Sequence, residues 1–216
     1  MTTRTRLSLI LAATFVLAAV PAGDASAASC SAKGYKTLDQ NKYIVVQRGP
    51  GPKGDSTSDY GVYACRISTG KRRVLGGNEC FGNDLGEVGD YALASNYIAY
   101  EARTCGDPEG ESDAVSLNVA TGAKKRFSAE HEPLAGGVVD YSITSLKVNS
   151  KGNMAWIAQA KHLSGGNQTR FDVRRAINGV ADRVDVGPGI VGDSLAYSAG
   201  RIYWLNGDVP KVAALP

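Results

Sequence analysis

Across residues 35–216, short runs rich in Val, Ile, Tyr and Trp are divided by Gly, Asn, Asp and Pro. Apolar residues hardly ever recur at the three-and-four spacing of an amphipathic helix, so the pattern predicts an all-β chain. The runs also repeat. Tyr43-Ile44-Val45-Val46, Tyr97-Ile98-Ala99-Tyr100, Asn153-Met154-Ala155-Trp156 and Arg201-Ile202-Tyr203-Trp204 align at spacings of 54, 56 and 48 residues. A shorter strand precedes the last three, at residues 91–94, 143–148 and 194–197. After each run come a polar loop, another strand, a tight turn and a final strand. The turns are Thr69-Gly70, Thr121-Gly122 and Asn178-Gly179, with Asn206-Gly207 in the shorter last unit. Asn-Gly accepts the positive φ of a type I′ hairpin turn at both positions. The predicted unit is an antiparallel four-stranded meander, repeated at roughly 35–88, 89–142, 143–193 and 194–216.

Four-stranded antiparallel units repeated around an axis are the blades of a β-propeller. The runs Val115-Ser116-Leu117-Asn118-Val119-Ala120-Thr121-Gly122 and Asn96-Tyr97-Ile98-Ala99-Tyr100 resemble the WD40-like repeats of TolB-type β-propellers in exported bacterial proteins. In that family a strand ending in a Thr-Gly turn follows a strand ending in an aromatic. The resemblance covers most of residues 35–216 and implies a fold rather than an activity. About three and a half units fit, so the expected architecture is a small or incomplete propeller of about four blades. A β-sandwich built from the same meanders is the alternative.

The first residues say where the chain goes. Arg4 and Arg6 precede the apolar run from Leu7 to Val20, Pro21 and Gly23 break it, and Ala25-Ser26-Ala27 offers the small residues that a signal peptidase reads. The run is shorter than the roughly 20 residues that span a bilayer. Residues 1–27 therefore read as a signal peptide, leaving 28–216 as one exported domain with no transmembrane segment.

All four cysteines, Cys30, Cys65, Cys80 and Cys105, lie beyond the cleavage site. An even count in an exported chain favours two disulfides. Four cysteines allow three connectivities. The preferred one is Cys30–Cys65 with Cys80–Cys105, because the repeat brings the last two to one side. Ala27-Ala28-Ser29-Cys30 also resembles the end of a bacterial lipobox, which makes lipid anchoring at Cys30 the alternative localisation. Ala27 stands there in place of the usual Leu, and lipidation would leave an odd number of thiols.

The formal net charge of +3 points to no strongly charged partner. Lys71-Arg72-Arg73 and Lys124-Lys125-Arg126 follow Thr-Gly turns, where a solvated strand edge takes charge, so nucleic acid is not expected. Acids gather instead between Asp84 and Asp113. Asp107, Glu109, Glu111 and Asp113 alternate along one loop and could supply oxygens to calcium, which takes six to eight. Asp84 and Glu87 could join them if Cys80–Cys105 pins the two loops together. The EF-hand pattern is not met, and a solvated acidic hairpin tip is the favoured reading, with no cofactor.

No catalytic constellation stands out. Gly192-Asp193-Ser194-Leu195 spells the signature of GDSL hydrolases, yet it lies near the C-terminal end of the sequence and no histidine follows it. A serine nucleophile needs a base within hydrogen-bond reach. The chain has only His131, between Glu130 and Glu132, and His162, both in polar loop sequence. Tyr43, Tyr97, Tyr100, Trp156, Tyr203 and Trp204 could stack on a sugar, but their recurrence fits packing between repeats better. The long polar loops 48–60, 102–113 and 161–169 follow the same strand of each repeat and would emerge on one rim. The expectation is a secreted, non-enzymatic binding protein using that rim, with a protein or polysaccharide of the cell envelope as partner. A glycan hydrolase working through carboxylates such as Glu101, and a purely structural surface protein, are the alternatives.

Overall fold

The structure is a computed structural model that describes residues 30–51, 60–77, 86–104, 111–129, 139–162 and 169–216. All regular structure in these residues is β. The first meander is β1 (Lys36–Gln40), β2 (Ile44–Pro50), β3 (Tyr60–Arg66) and β4 (Arg72–Gly77). The second is β5 (Glu87–Ala94), β6 (Tyr97–Arg103), β7 (Ser112–Asn118) and β8 (Lys124–Ser128). The third is β9 (Val139–Val148), β10 (Met154–His162), β11 (Thr169–Ile177) and β12 (Val180–Gly187). β13 (Ala196–Ser198), β14 (Arg201–Asn206) and β15 (Val209–Ala214) form the last, which has three strands where the others have four. Within each meander every pairing is antiparallel and sequential, and a single parallel bridge, Gly77 to Glu87, joins the first to the second. The repeated meander read from the sequence is thus present. Among the described residues no strand of the last meander pairs with one of the first.

The sheets stack in chain order. Ile44, Val46, Ile98, Tyr100 and Leu117 fill the seam between the first two meanders. Ala99, Leu146, Met154 and Trp156 fill the next, and Ala155, Ile157, Ile202, Trp204 and Leu215 the last. Because side chains alternate across a strand, a strand buried on both faces reads as an unbroken apolar run. That is the case for β6 and β10, whose residues are buried in long blocks. β14, with one face bare, alternates buried and exposed.

The alignment read from the sequence is off by one residue in the first meander. Ile67 donates its amide to Tyr43 O, and Val119 donates its amide to Asn96 O, so Tyr43 is equivalent to Asn96 rather than to Tyr97. The true match to Tyr97-Ile98-Ala99-Tyr100 is Ile44-Val45-Val46-Gln47. A one-residue slip moves every side chain to the other face, and the packing agrees with the corrected register. Val45 faces outward beside Cys30, Cys65 and Ile67, while Ile44 and Val46 face the second meander. A second correction concerns β9, which starts at Val139 rather than Ile143, so the third unit begins earlier than expected. Tyr43 and Tyr203, expected to pack between repeats, are 41% and 38% exposed.

In the corrected register the third and fourth positions of each unit have distinct jobs. Tyr100, Trp156 and Trp204 all point back at the preceding meander, and small residues, Val46, Ala99 and Ala155, leave room for them. Among the described residues no meander precedes the first, and its fourth position is Gln47. Gln47 Nε2 donates to Cys30 O at 2.9 Å and its Oε1 accepts from Arg72 Nε at 3.1 Å. A polar residue thus closes the stack where an aromatic would be exposed, much as capping repeats do in solenoids. The Cys30–Cys65 disulfide fixes that N-terminal cap to β3. This pairing matches the sequence expectation, while Cys80 and Cys105 lie outside the described residues.

Candidate functional site

Antiparallel succession gives the stack two different ends. The β1–β2 and β3–β4 turns of each meander lie at one end, the turn edge. The β2–β3 loops and the connections between meanders lie at the other, the loop edge. So does the Asn206-Gly207 turn, which joins β14 to β15 and is not, as the sequence suggested, the counterpart of the Thr69-Gly70 turn.

The turn edge is tied together by short polar links between neighbouring meanders. Asn41 Nδ2 donates to Ser95 O at 3.1 Å, Arg73 Nε to Val119 O at 2.9 Å, and Ser116 Oγ to Gly152 O at 3.1 Å. Asn149 Nδ2 donates to Pro216 O at 2.8 Å, and Asn153 Nδ2 donates to the same oxygen at 2.6 Å. The turns are tight. Asn178 and Gly179 hold φ of 54° and 91°, the values a type I′ turn needs. Gly152, at φ 82°, carries no Cβ where one would overlap the Tyr97 ring. The carbonyls of Ser95, Val119, Gly152 and Pro216 at this end are thus already engaged.

The loop edge is where the long connections leave. The described strand ends on either side of residues 52–59, 78–85, 105–110, 130–138 and 163–168 lie here, and those segments themselves lie outside the described residues. Their anchoring strand ends are well braced. Tyr63 donates its hydroxyl to Pro50 O, and the Arg48 guanidinium lies 4.3 Å from the centre of the Tyr60 ring. Thr104 donates its amide to Glu111 O at 2.8 Å and its hydroxyl to the same oxygen at 3.1 Å. Gly77 N donates to Gly86 O at 2.8 Å, and Thr144 Oγ1 to Gly192 O at 2.8 Å. Rigid strand ends carrying longer connections are the arrangement from which proteins make binding surfaces.

The residues singled out from sequence fall in different places. Asp107, Glu109 and His131 lie outside the described residues. Asp113 forms an ion pair with Arg126 at 2.8 Å, so a cation at that carboxylate would have to displace the guanidinium. Glu111 contributes its backbone carbonyl to Thr104. Among the described residues no three or more His, Cys, Asp or Glu side chains gather as metal ligands. Ser194 of the GDSL tetrapeptide is a turn residue. Its hydroxyl donates to Val191 O at 2.6 Å and accepts from Leu205 N at 3.0 Å, and Leu195 is buried in the last seam.

Glu101 is a seam residue. Its side chain is 4% exposed, and Oε1 accepts from Ser112 Oγ at 2.8 Å, Ile143 N at 2.8 Å and Arg103 Nε at 3.2 Å. Ser112 Oγ also lies 2.9 Å from Tyr141 O, so this knot joins the second meander to the start of β9. Gly89 makes room for it, since a Cβ there would overlap Glu101 Oε2. Buried carboxylates need such partners. Placed this way, Glu101 holds two meanders together and does not face solvent.

Sequence reasoning missed three features. Asp172 is fully buried, with Arg170, Arg174 and Arg183 nitrogens at 3.7, 3.6 and 3.9 Å from its carboxylate. The signal was available, because Arg170 and Arg174 flank Asp172 two residues away on the same strand face. A groove of about 200 Å³ lies beside the N-terminal cap, lined by Ser31, Tyr35, Thr37, Gln40, Val45 and Gln47. Nothing in the spacing announces it. Burial pushes the Tyr100 phenol up to about 12, so the ring is neutral at any physiological pH. Lys124, 5.8 Å from that ring's centre, is pulled below its ordinary value by burial, with Arg126 adding to the effect.

No protein-family model matches the chain, and no curated protein matches it.

Proposed function

We propose that this chain is an exported, non-enzymatic scaffold whose loop edge binds a component of the cell envelope, protein or polysaccharide. The stacked meanders are read as an incomplete TolB-like propeller of about four units, open between the first and the last. The observation that carries this reading is the asymmetry of the two ends. One end is closed by short turns and side-chain links, while five longer connections leave the other from braced strand ends. The Cys30–Cys65 disulfide fits an oxidising compartment, as does a leader at residues 1–27. With Sγ of Cys30 in that bond, the thioether of a lipid anchor cannot form at the same atom. No helix among the described residues is long and apolar enough to cross a membrane.

The test shortens the loops. Residues 52–59, 105–110 and 163–168 are each replaced by Asn-Gly, which suits a two-residue hairpin. Sedimentation with an isolated cell-envelope fraction then compares this variant with the parent and with the turn-edge variant Thr121→Ala. The loop variant is expected to lose most of its binding while Thr121→Ala keeps it. Equal binding by all three would reject the loop edge as the site.

A further inference from the structure

We propose that two copies of this chain pair through β15, edge to edge and antiparallel, about a two-fold axis at Val212. Among the described residues the last meander has three strands where the others have four, and β15 pairs with β14 alone. The free side follows from the register. Leu205 engages its amide and carbonyl away from β15, with Ser194 Oγ and Val191 N, and Leu215 N bonds back to Gly200 O. Hence residues 209, 211 and 213 bond β14, and Pro210, Val212 and Ala214 present their backbone groups outward.

Those outward groups complement a second copy in one register. With Val212 opposite its counterpart, each Val212 N–H donates to the other's carbonyl. Ala214 then stands opposite Pro210 of the second copy, and its N–H donates to that proline's carbonyl. Proline cannot return a bond, having no N–H. The acceptor it would have served, Ala214 O, already accepts from Arg175 Nη1 at 2.8 Å. Four bonds form across the axis, and the two that cannot form would have met a carbonyl that is already satisfied. In most other registers Pro210 would face an unsatisfied carbonyl, so the same proline discourages indiscriminate strand addition.

The side chains agree. β8 carries three cations in its five residues, and β12 carries Asp182, Arg183 and Asp185 together with a register shift. Charges and irregularities of this kind are how sheets blunt an open edge. β15 has Lys211 as its one charge and an uninterrupted ladder. Val212 is 53% exposed and lies beside Tyr203, which is 38% exposed. Pairing would join these residues from both copies into one apolar stripe.

Sedimentation velocity of residues 28–216 over a range of concentrations tests the proposal. The expected result is a concentration-dependent dimer that Val212→Pro converts to monomer at all concentrations. The Val212 amide points away from β14, so a thermal melt of dilute Val212→Pro should match the parent under the same conditions. Val212→Cys supplies the register. In the proposed pairing the two cysteines lie about 5.5 Å apart at Cα and oxidise to a covalent dimer. Ala214→Cys places them about 13 Å apart or more along the strands, beyond disulfide reach. A parent that is monomeric throughout, a dimer that survives Val212→Pro, or equal cross-linking by both cysteine variants would each overturn the proposal.

Discussion

Trp156→Ala is expected to cost about 3–5 kcal/mol of folding stability, read as a shift in the urea midpoint at unchanged slope. Trp156 is fully buried in the seam between the second and third meanders, where its ring stacks on Phe127 with centroids 6.0 Å apart. Ala99 and Ala158 line the same cluster, and small neighbours cannot expand to refill the void. The whole stability of a domain is only about 5–15 kcal/mol, so this one residue accounts for a large share. Its indole N–H is buried with no hydrogen-bond partner among the described residues. Trp156→Phe removes that uncompensated group together with some volume, and should cost less than half as much as alanine. If Trp156→Ala were as stable as the parent, the seam between these two meanders would be wrongly assigned. The comparison with Trp204 is informative, because its Nε1 donates to Asp185 Oδ2 at 2.8 Å. There phenylalanine would lose a bond made to a carboxylate oxygen that then keeps only Asn206 Nδ2, at 3.2 Å, and it should be tolerated less well.

Loss of the Cys30–Cys65 bond is the second large expected effect. The cysteines are 35 residues apart, and cross-linking a loop of that length removes roughly 4 kcal/mol of chain entropy from the unfolded state. The bridge also holds the cap. Without it, Cys30 O is no longer presented to Gln47 and Arg72, and the outward side of β2 loses the cover of Cys30 and Cys65. A Cys30→Ala, Cys65→Ala double variant should melt well below the parent in oxidising buffer, and addition of reductant should lower the parent toward it. Identical melts would mean that the cap contributes nothing to the folded state.

Much of this architecture was legible in the chain, for a plain reason. The runs around Ile98, Met154 and Ile202 repeat an apolar pattern bounded by turn residues, and turn chemistry is local. Asn178-Gly179 sits where its sequence demands. The register of the first unit was not legible, because Tyr43, Ile44, Val45 and Val46 are four apolar residues in a row. Either of two adjacent alignments puts apolar side chains on both faces, and only the hydrogen bonds to Tyr43 O and Asn96 O decide between them. Gln47 then looks like an ordinary polar residue until its partner is known to be the carbonyl of Cys30, far away in sequence. Glu101 misled for a related reason. Its place among many acids made it an example of a hydrolytic carboxylate, while its partners Ser112 and Ile143 come from two other strands. The GDSL tetrapeptide has no histidine after its serine, and the fold engages that hydroxyl with Val191 O and Leu205 N. The strand ends at the loop edge follow from the strand order, but the long segments between them carry no local pattern that points to a ligand.

Amide hydrogen exchange resolved strand by strand tests the stacked, capped repeat most directly. Strands buried on both faces should open only with the whole domain. The account predicts that β6 and β10 exchange slowest, that β2 joins them while the disulfide is intact, and that β8 and β12 exchange much faster. On reduction, β2 should lose protection before β6 and β10 do. Protection of β6 and β10 no greater than that of β8 and β12 would contradict the stack, and with it the loop edge that the stack presents.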